Sequence, residues 1–196
     1  MNKLCVALGI AAALGLSGCQ RAPDTAPPLA GASICGPFAL IDQDGRPFSS
    51  ASLAGRYSII YFGYTFCPDV CPTDMQVLAS GLKKLAAEDP ARAAKIQPIF
   101  ITIDPARDTP PVLKTFVRAF SPTLIGLTGS EAQIAAVAKA YASPYQKQEP
   151  KPGATGYLMQ HSTAAILFGP DGKPIALVPV DADAGQVVAT LKQWVK

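Results

Sequence analysis

Histidine and tryptophan each occur once in the 196 residues, and methionine only three times. A metal or redox centre therefore has to draw its strong ligands from His161 and five cysteines, which excludes a multi-histidine cage. Charge is also scarce: Asp, Glu, Lys and Arg make up 16% of the chain, against about 25% in an average soluble domain. The formal net charge is only +3 and no basic block occurs, so nothing favours nucleic acid as a partner. Uninterrupted apolar runs of 18 or more residues are missing, which excludes an ordinary membrane-spanning helix. What is abundant is hydrophobic side chain, 49%, enough for a core and incompatible with wholesale disorder. The length suits one ordinary domain, and neither an internal repeat nor a second domain is visible.

Part of the apolar excess sits at the start. After Asn2-Lys3, residues Leu4 to Leu16 are continuously apolar. At about 1.5 Å per residue this stretch makes roughly 20 Å of helix, short of the ~30 Å bilayer core, and it is read as a signal-peptide h-region. It ends in Leu16-Ser17-Gly18-Cys19, which resembles the lipobox of bacterial lipoproteins. That resemblance implies cleavage before Cys19, lipid on Cys19, and a domain held outside the cytoplasmic membrane, in the periplasm where an outer membrane exists. Residues 1–18 are thus assigned to the signal and residues 19–32, rich in Pro and Ala, to the lipidated cysteine and a semi-extended tether. Residues 33–196 are assigned to the folded domain.

Within that domain, Phe38 to Ile41 and Arg46 to Phe48 flank Asp42-Gln43-Asp44-Gly45, a β-hairpin pattern. Tyr57 to Phe62 is aromatic and β-branched, bounded by Gly55 and Gly63, as in a buried central strand. Met75, Leu78, Leu82 and Leu85 predict a helix from about Thr73, ended before Pro90. A second buried strand is predicted over Ile96 to Ile103, with an irregular start at Pro98. A short helix opened by Pro110-Pro111 follows, then a strand at Leu124 to Leu127 and a helix capped by Ser130. Ser162 to Phe168 and Pro174 to Val180 flank Gly169-Pro170-Asp171-Gly172 as a second hairpin, and Asp183 caps a final helix. Strands alternating with helices and closing on an antiparallel hairpin and a helix predict a thioredoxin-like α/β sandwich with an additional N-terminal β-hairpin.

Cys5 falls in the signal and Cys19 at the lipid site, leaving Cys35, Cys67 and Cys71. Cys67 and Cys71 lie between the central strand and the first long helix, where a thiolate gains from the helix N-terminus. Three residues separate them, one more than in a thioredoxin-type redox pair, so both thiols can address a common third object. Two thiolates select Cu(I) or Zn(II), although a disulfide is also open to an exported pair. His161 precedes the late hairpin, whose entry loop faces the cysteine turn in such a fold. A Cys2His set suits trigonal Cu(I), or Cu(II) with a further weak ligand.

Tyr61-Phe62-Gly63-Tyr64-Thr65-Phe66-Cys67-Pro68-Asp69-Val70-Cys71-Pro72-Thr73, Ile103-Asp104-Pro105-Ala106-Arg107-Asp108-Thr109-Pro110 and His161-Ser162-Thr163 together resemble the Sco/SenC family over roughly residues 36 to 195. The resemblance implies a membrane-tethered, thioredoxin-like copper chaperone that helps assemble the dinuclear copper centre of cytochrome c oxidase. By position, copper ligands fall on Cys67, Cys71 and His161. The implied partners are the copper-bearing oxidase subunit and a periplasmic copper donor. An alternative on the same cysteines is a thiol–disulfide oxidoreductase that reduces a cuproprotein before loading.

Two positions depart from the family pattern. Gln160 stands where an aspartate usually precedes the histidine, so a charge that would raise imidazole basicity and help fix its tautomer is absent. Cys35 replaces a common glycine and is either inert or a surface thiol able to pair between molecules. The loop Asp104 to Pro110 is open to two readings: loop architecture with Arg107 paired to Asp108, or a docking surface. Asp69 is read as a solvated carboxylate, with weak axial ligation as the alternative.

Overall fold

The computed structural model describes residues 26–150 and 156–196. The expected signal peptide and lipidated Cys19 lie outside the described residues. In chain order the elements are β1 (Ala39–Asp42), β2 (Pro47–Ser49), β3 (Tyr57–Gly63), α1 (Val70–Glu88), α2 (Pro90–Ala93), β4 (Ile96–Thr102) and α3 (Pro110–Phe120). There follow β5 (Ile125–Thr128), α4 (Glu131–Ala140), β6 (Tyr145–Lys147), β7 (Met159–His161), β8 (Ala165–Phe168), β9 (Pro174–Val178) and α5 (Ala184–Trp194).

Seven strands form one sheet in the order β2-β1-β5-β4-β3-β8-β9. The three inner strands β3, β4 and β5 are parallel, and β1 and β8 join them antiparallel. Ser58 to Gly63 are all buried, as a strand covered on both faces requires. Alternation divides its side chains. Tyr61 stacks on Phe100, which meets Phe116 of α3, while the Tyr61 hydroxyl reaches Asp74 of α1. Phe62 faces the other way, against Tyr141 at the end of α4, with Phe168 and Phe38 completing the cluster. Helix α5 lies against α1, close enough that a Cβ at Gly81 would strike Val187.

The hairpin β1–β2 is the expected N-terminal addition, and its turn follows from residue chemistry. Asp42 Oδ1 accepts the N–H groups of Asp44 and Arg46, and Gly45 supplies the left-handed φ of +78°. Ser130 caps α4 in a full capping box with Gln133, and Asp183 accepts the N–H groups of Gly185 and Gln186 at the head of α5.

Several elements differ from the sequence expectation. Helix α1 begins at Val70 rather than Thr73, because Pro72 sits in the first turn, where its missing N–H costs no intrahelical bond. Pro90 ends α1 and also opens the short α2, capped by Asp89. Pro98 is accommodated within β4 because β5 pairs only from Ile99 onward. The ribbon β6–β7 was not expected at all; it forms a separate two-stranded sheet. Packing also starts ahead of Ser33: Leu29 rests on the core and donates its N–H to the Ile175 carbonyl at 3.0 Å. Among the described residues no helix is long and apolar enough to cross a membrane.

Candidate metal centre

Beyond Gly63 the chain leaves the carboxyl end of β3 and turns into α1, and this turn carries both cysteines. It is pinned from below by Asp108, a fully buried carboxylate. Asp108 accepts the Thr65 N–H at 3.0 Å, the Thr65 hydroxyl at 2.6 Å and the Thr102 hydroxyl at 2.6 Å. Burial pushes its pKa up, against the pull of these donors. The expected Arg107–Asp108 pair is therefore absent: Arg107 instead bridges to Asp104, leaving Asp108 to hold the cysteine turn. Sequence proximity made Asp108 the nearer partner, but the strand-to-helix turn sends it inward.

Cys71, in the first turn of α1, is fully buried, whereas Cys67 retains 9% exposure. Both stand as free thiols. The Cys71 N–H points at Cys67 Sγ at 3.5 Å, so the helix N-terminus faces the more accessible sulfur. Burial drives the Cys71 thiol well above the ordinary cysteine range, with the Tyr64 backbone opposing it. Gly63 leaves room for this arrangement: a Cβ there would lie 3.0 Å from Cys71 Sγ and 2.8 Å from the Tyr61 ring.

His161 arrives from the separate ribbon at the end of β7, cross-strand from Tyr145. Its Nε2 lies 3.3 Å from Cys71 Sγ, and its Nδ1 lies 2.8 Å from the Ser162 carbonyl. A carbonyl only accepts, so Nδ1 carries the proton and Nε2 presents its lone pair to the sulfurs. The ring stands edge-on to Tyr61 and Tyr64, with centroids 6.3 and 5.8 Å away. Cys67, Cys71 and His161 thus place one ligand atom each within 4.8 Å of one another. They are the only such His, Cys, Asp or Glu group among the described residues. Two sulfurs and one imidazole nitrogen at this spacing suit a soft, low-coordinate cation.

The tautomer-fixing role that the sequence attached to position 160 belongs to the Ser162 carbonyl. Gln160 is exposed and paired across the ribbon with Gln146, and strand alternation turns it away from the His161 face. Asp69 is exposed and outside the ligand group, as its solvated reading expects. Cys35 is exposed and lines a cavity with Ser58, at the beginning of β3 rather than its end.

Asp74, Tyr61 and Tyr64 escaped the sequence reading. Asp74 is buried and accepts the Tyr61 hydroxyl at 2.8 Å; burial raises its pKa, with that hydroxyl acting against the rise. The available signal was a carboxylate on the same helical stripe as Cys71, Met75 and Leu78, where only apolar residues belong.

The comparisons with known proteins agree with this architecture. The SCO1/SenC family model matches residues 26–196. The mitochondrial protein SCO2 of Saccharomyces cerevisiae is 40% identical over 141 residues, covering 72% of this chain and 46% of its own, so the chain spans about half of that relative. Bradyrhizobium japonicum ScoI, solved with copper bound, is 35% identical and superposes with a TM-score of 0.73, covering 82% of this chain and 99% of that one. BsSco is 26% identical with a TM-score of 0.62, covering 82% of this chain and 92% of its own. It is described as a member of the Sco family of cytochrome c oxidase assembly proteins, with a disulfide switch. A thioredoxin domain of a Bacteroides vulgatus thiol-disulfide oxidoreductase, 16% identical with a TM-score of 0.57, shares the fold. A thioredoxin-like sheet, two cysteines at its strand-to-helix turn, a histidine brought over them and a family match from residue 26 to the last residue lead to one conclusion: the chain belongs to the SCO1/SenC family.

Proposed function

We propose that this protein is a copper metallochaperone that holds the metal on Cys67, Cys71 and His161 and delivers it to the dinuclear copper centre of cytochrome c oxidase. The observation that carries this reading is the convergence of the three ligand atoms, with the Nδ1–Ser162 hydrogen bond leaving His161 Nε2 free to donate. The copper is cargo. The partial exposure of Cys67 supports a stepwise exchange in which a recipient ligand enters on that side, while buried Cys71 is the last to let go. Thiols must shed their protons to bind as thiolates, so loading releases protons and affinity falls as pH is lowered. The copper-bound Bradyrhizobium relative and the oxidase-assembly role described for BsSco's family support the same reading.

Lipid on Cys19 and a tether shortened to the residues ahead of the packed Leu29 would keep the domain at the outer surface of the cytoplasmic membrane or in the periplasm, beside a membrane-bound recipient. Cys19→Ser is expected to release the protein from membranes and to abolish labelling by a radioactive fatty acid.

A second reading uses the same sulfurs in dithiol exchange: Cys67 and Cys71 give up two electrons and two protons and close to a disulfide as a partner disulfide is reduced. Their proximity and the switch described in BsSco favour keeping it in view. Copper transfer from the loaded chain to a soluble copper-free oxidase domain separates the two. Metallochaperone action requires His161, so His161→Ala should transfer poorly while still reducing a disulfide substrate. Equal transfer by wild type and His161→Ala would overturn the assignment.

A further inference from the structure

The three ligand residues are delivered by two bodies that share no strand pairing. Cys67 and Cys71 hang from the main sheet, whereas His161 rides on the β6–β7 ribbon, which is hydrogen-bonded only to itself as a sheet. Ring contacts from Tyr61 and Tyr64 and the packing of Tyr145 and Met159 join them, and one further side chain, from a third segment, reaches both. Arg107, in the loop after β4, bridges through Nε to Asp104, and its Nη1 donates to the Tyr157 carbonyl at 3.0 Å. Tyr157 closes the circuit, its hydroxyl donating to the other oxygen of Asp104 at 2.7 Å. The guanidinium lies 3.7 Å from the Tyr157 ring centroid and 4.8 Å from that of Phe66. Phe66 immediately precedes Cys67, and Tyr157 stands just ahead of β7.

We propose that Arg107 is a positioning residue for His161, clasping the histidine ribbon to the cysteine turn. The inference rests on the reading of Cys67, Cys71 and His161 as the copper-binding set. A guanidinium suits the task because its planar fork donates in two directions while its faces stack on aromatic rings, which a lysine cannot reproduce. Asp104 is itself buried, so the fork is aimed by a carboxylate that cannot swing into solvent. Arg107 Nη2 is buried with no partner among the described residues.

Because His161 is the single histidine of the chain, its imidazole gives a single Hε1 resonance in a tag-free protein, readable without metal. In the copper-free wild type that resonance should be displaced by the rings of Tyr61 and Tyr64. Arg107→Met should move it toward the free-imidazole position, Arg107→Lys should fail to restore it, and Tyr157→Phe, which removes only the bond to Asp104, should move it part of the way. With copper, Arg107→Met should still bind one Cu(I) on the two sulfurs, with affinity lowered by about 10- to 100-fold. Adding His161→Ala to it should cost little more, since both changes remove the same ligand. An unmoved resonance in Arg107→Met, or losses that simply add, would overturn the proposal. Should the wild type take up no copper, the chaperone reading fails, and the resonance still reports whether Arg107 holds the histidine.

Discussion

Cys67 and Cys71 sit on a turn tied directly into the main sheet, and His161 on a separate two-stranded ribbon. The cysteine turn leaves a strand whose residues from Ser58 onward are all buried, and Asp108 ties it down by three accepted hydrogen bonds. The histidine stands on a three-residue strand paired with another of three residues, joined to the body by ring contacts, by Tyr145 and Met159 packed on the core, and by Arg107. Damage on the cysteine side should therefore cost the whole fold, and damage on the histidine side should cost geometry. Such a division would suit the proposed carrier: the sulfurs are set by one sheet while the nitrogen is held separately on the ribbon.

The largest effect is expected from Asp108→Ala, which strands the donors of Thr65 and Thr102 in the interior. A loss of about 3 kcal/mol is expected from unsatisfied buried groups, measured as a shift of the urea midpoint, with copper binding lost alongside it. Gly63→Ala comes next: its methyl would press on Tyr61, Phe100 and Cys71, for about 2 kcal/mol of overpacking and a displaced sulfur. Wild-type stability in this variant would show that the surroundings of Gly63 yield to a methyl group.

Proton competition tests the cysteine side. Burial holds Cys71 protonated through neutral pH, so each copper bound there displaces a proton. The sign follows: affinity rises with pH at about tenfold per unit for each proton displaced, and continues to rise above neutrality until the thiol ionises unaided. Competition titrations between pH 6 and 9, with a chelator of known proton dependence, measure that slope. A flat profile would place an ionised Cys71 in the apo protein.

Ser130→Ala serves as a control away from the site. It removes the capping box of α4 and should cost about 1 kcal/mol without altering copper affinity. The smallest effect is expected from Gln160→Asp, an exposed change within about 0.5 kcal/mol. Nitrogen spectra should still show the His161 Nδ1–H engaged, because the Ser162 carbonyl holds it; a switch of tautomer would move that role back to position 160.

The cysteine turn and the approach of His161 to it were legible in the sequence, but the ribbon that carries the histidine was not. Tyr57 to Phe62, the cysteine spacing and the capping residues Ser130 and Asp183 are local signals, and the elements they announce are present. The β6–β7 ribbon lacked such a signal: three-residue strands carry almost no periodicity, and their pairing joins positions as distant as Tyr145 and His161. Arg107 illustrates the same limit. Its neighbour in sequence is Asp108, yet the turn of the loop gives it Asp104 and Tyr157 and sends Asp108 to the cysteine turn. Asp74 was hidden because helical spacing marks which face a residue occupies, while its partner Tyr61 lies on another element.

The most direct test of the central claim is the stoichiometry and affinity of Cu(I) binding under anaerobic, reducing conditions, for wild type, His161→Ala and Cys67→Ser/Cys71→Ser. The expected result is one tightly held copper per chain in the wild type, clearly weakened in the histidine variant and lost in the double serine variant. Absence of specific copper in the wild type, with disulfide exchange unaffected by His161→Ala, would contradict a shared three-ligand site and leave a dithiol protein whose histidine is incidental.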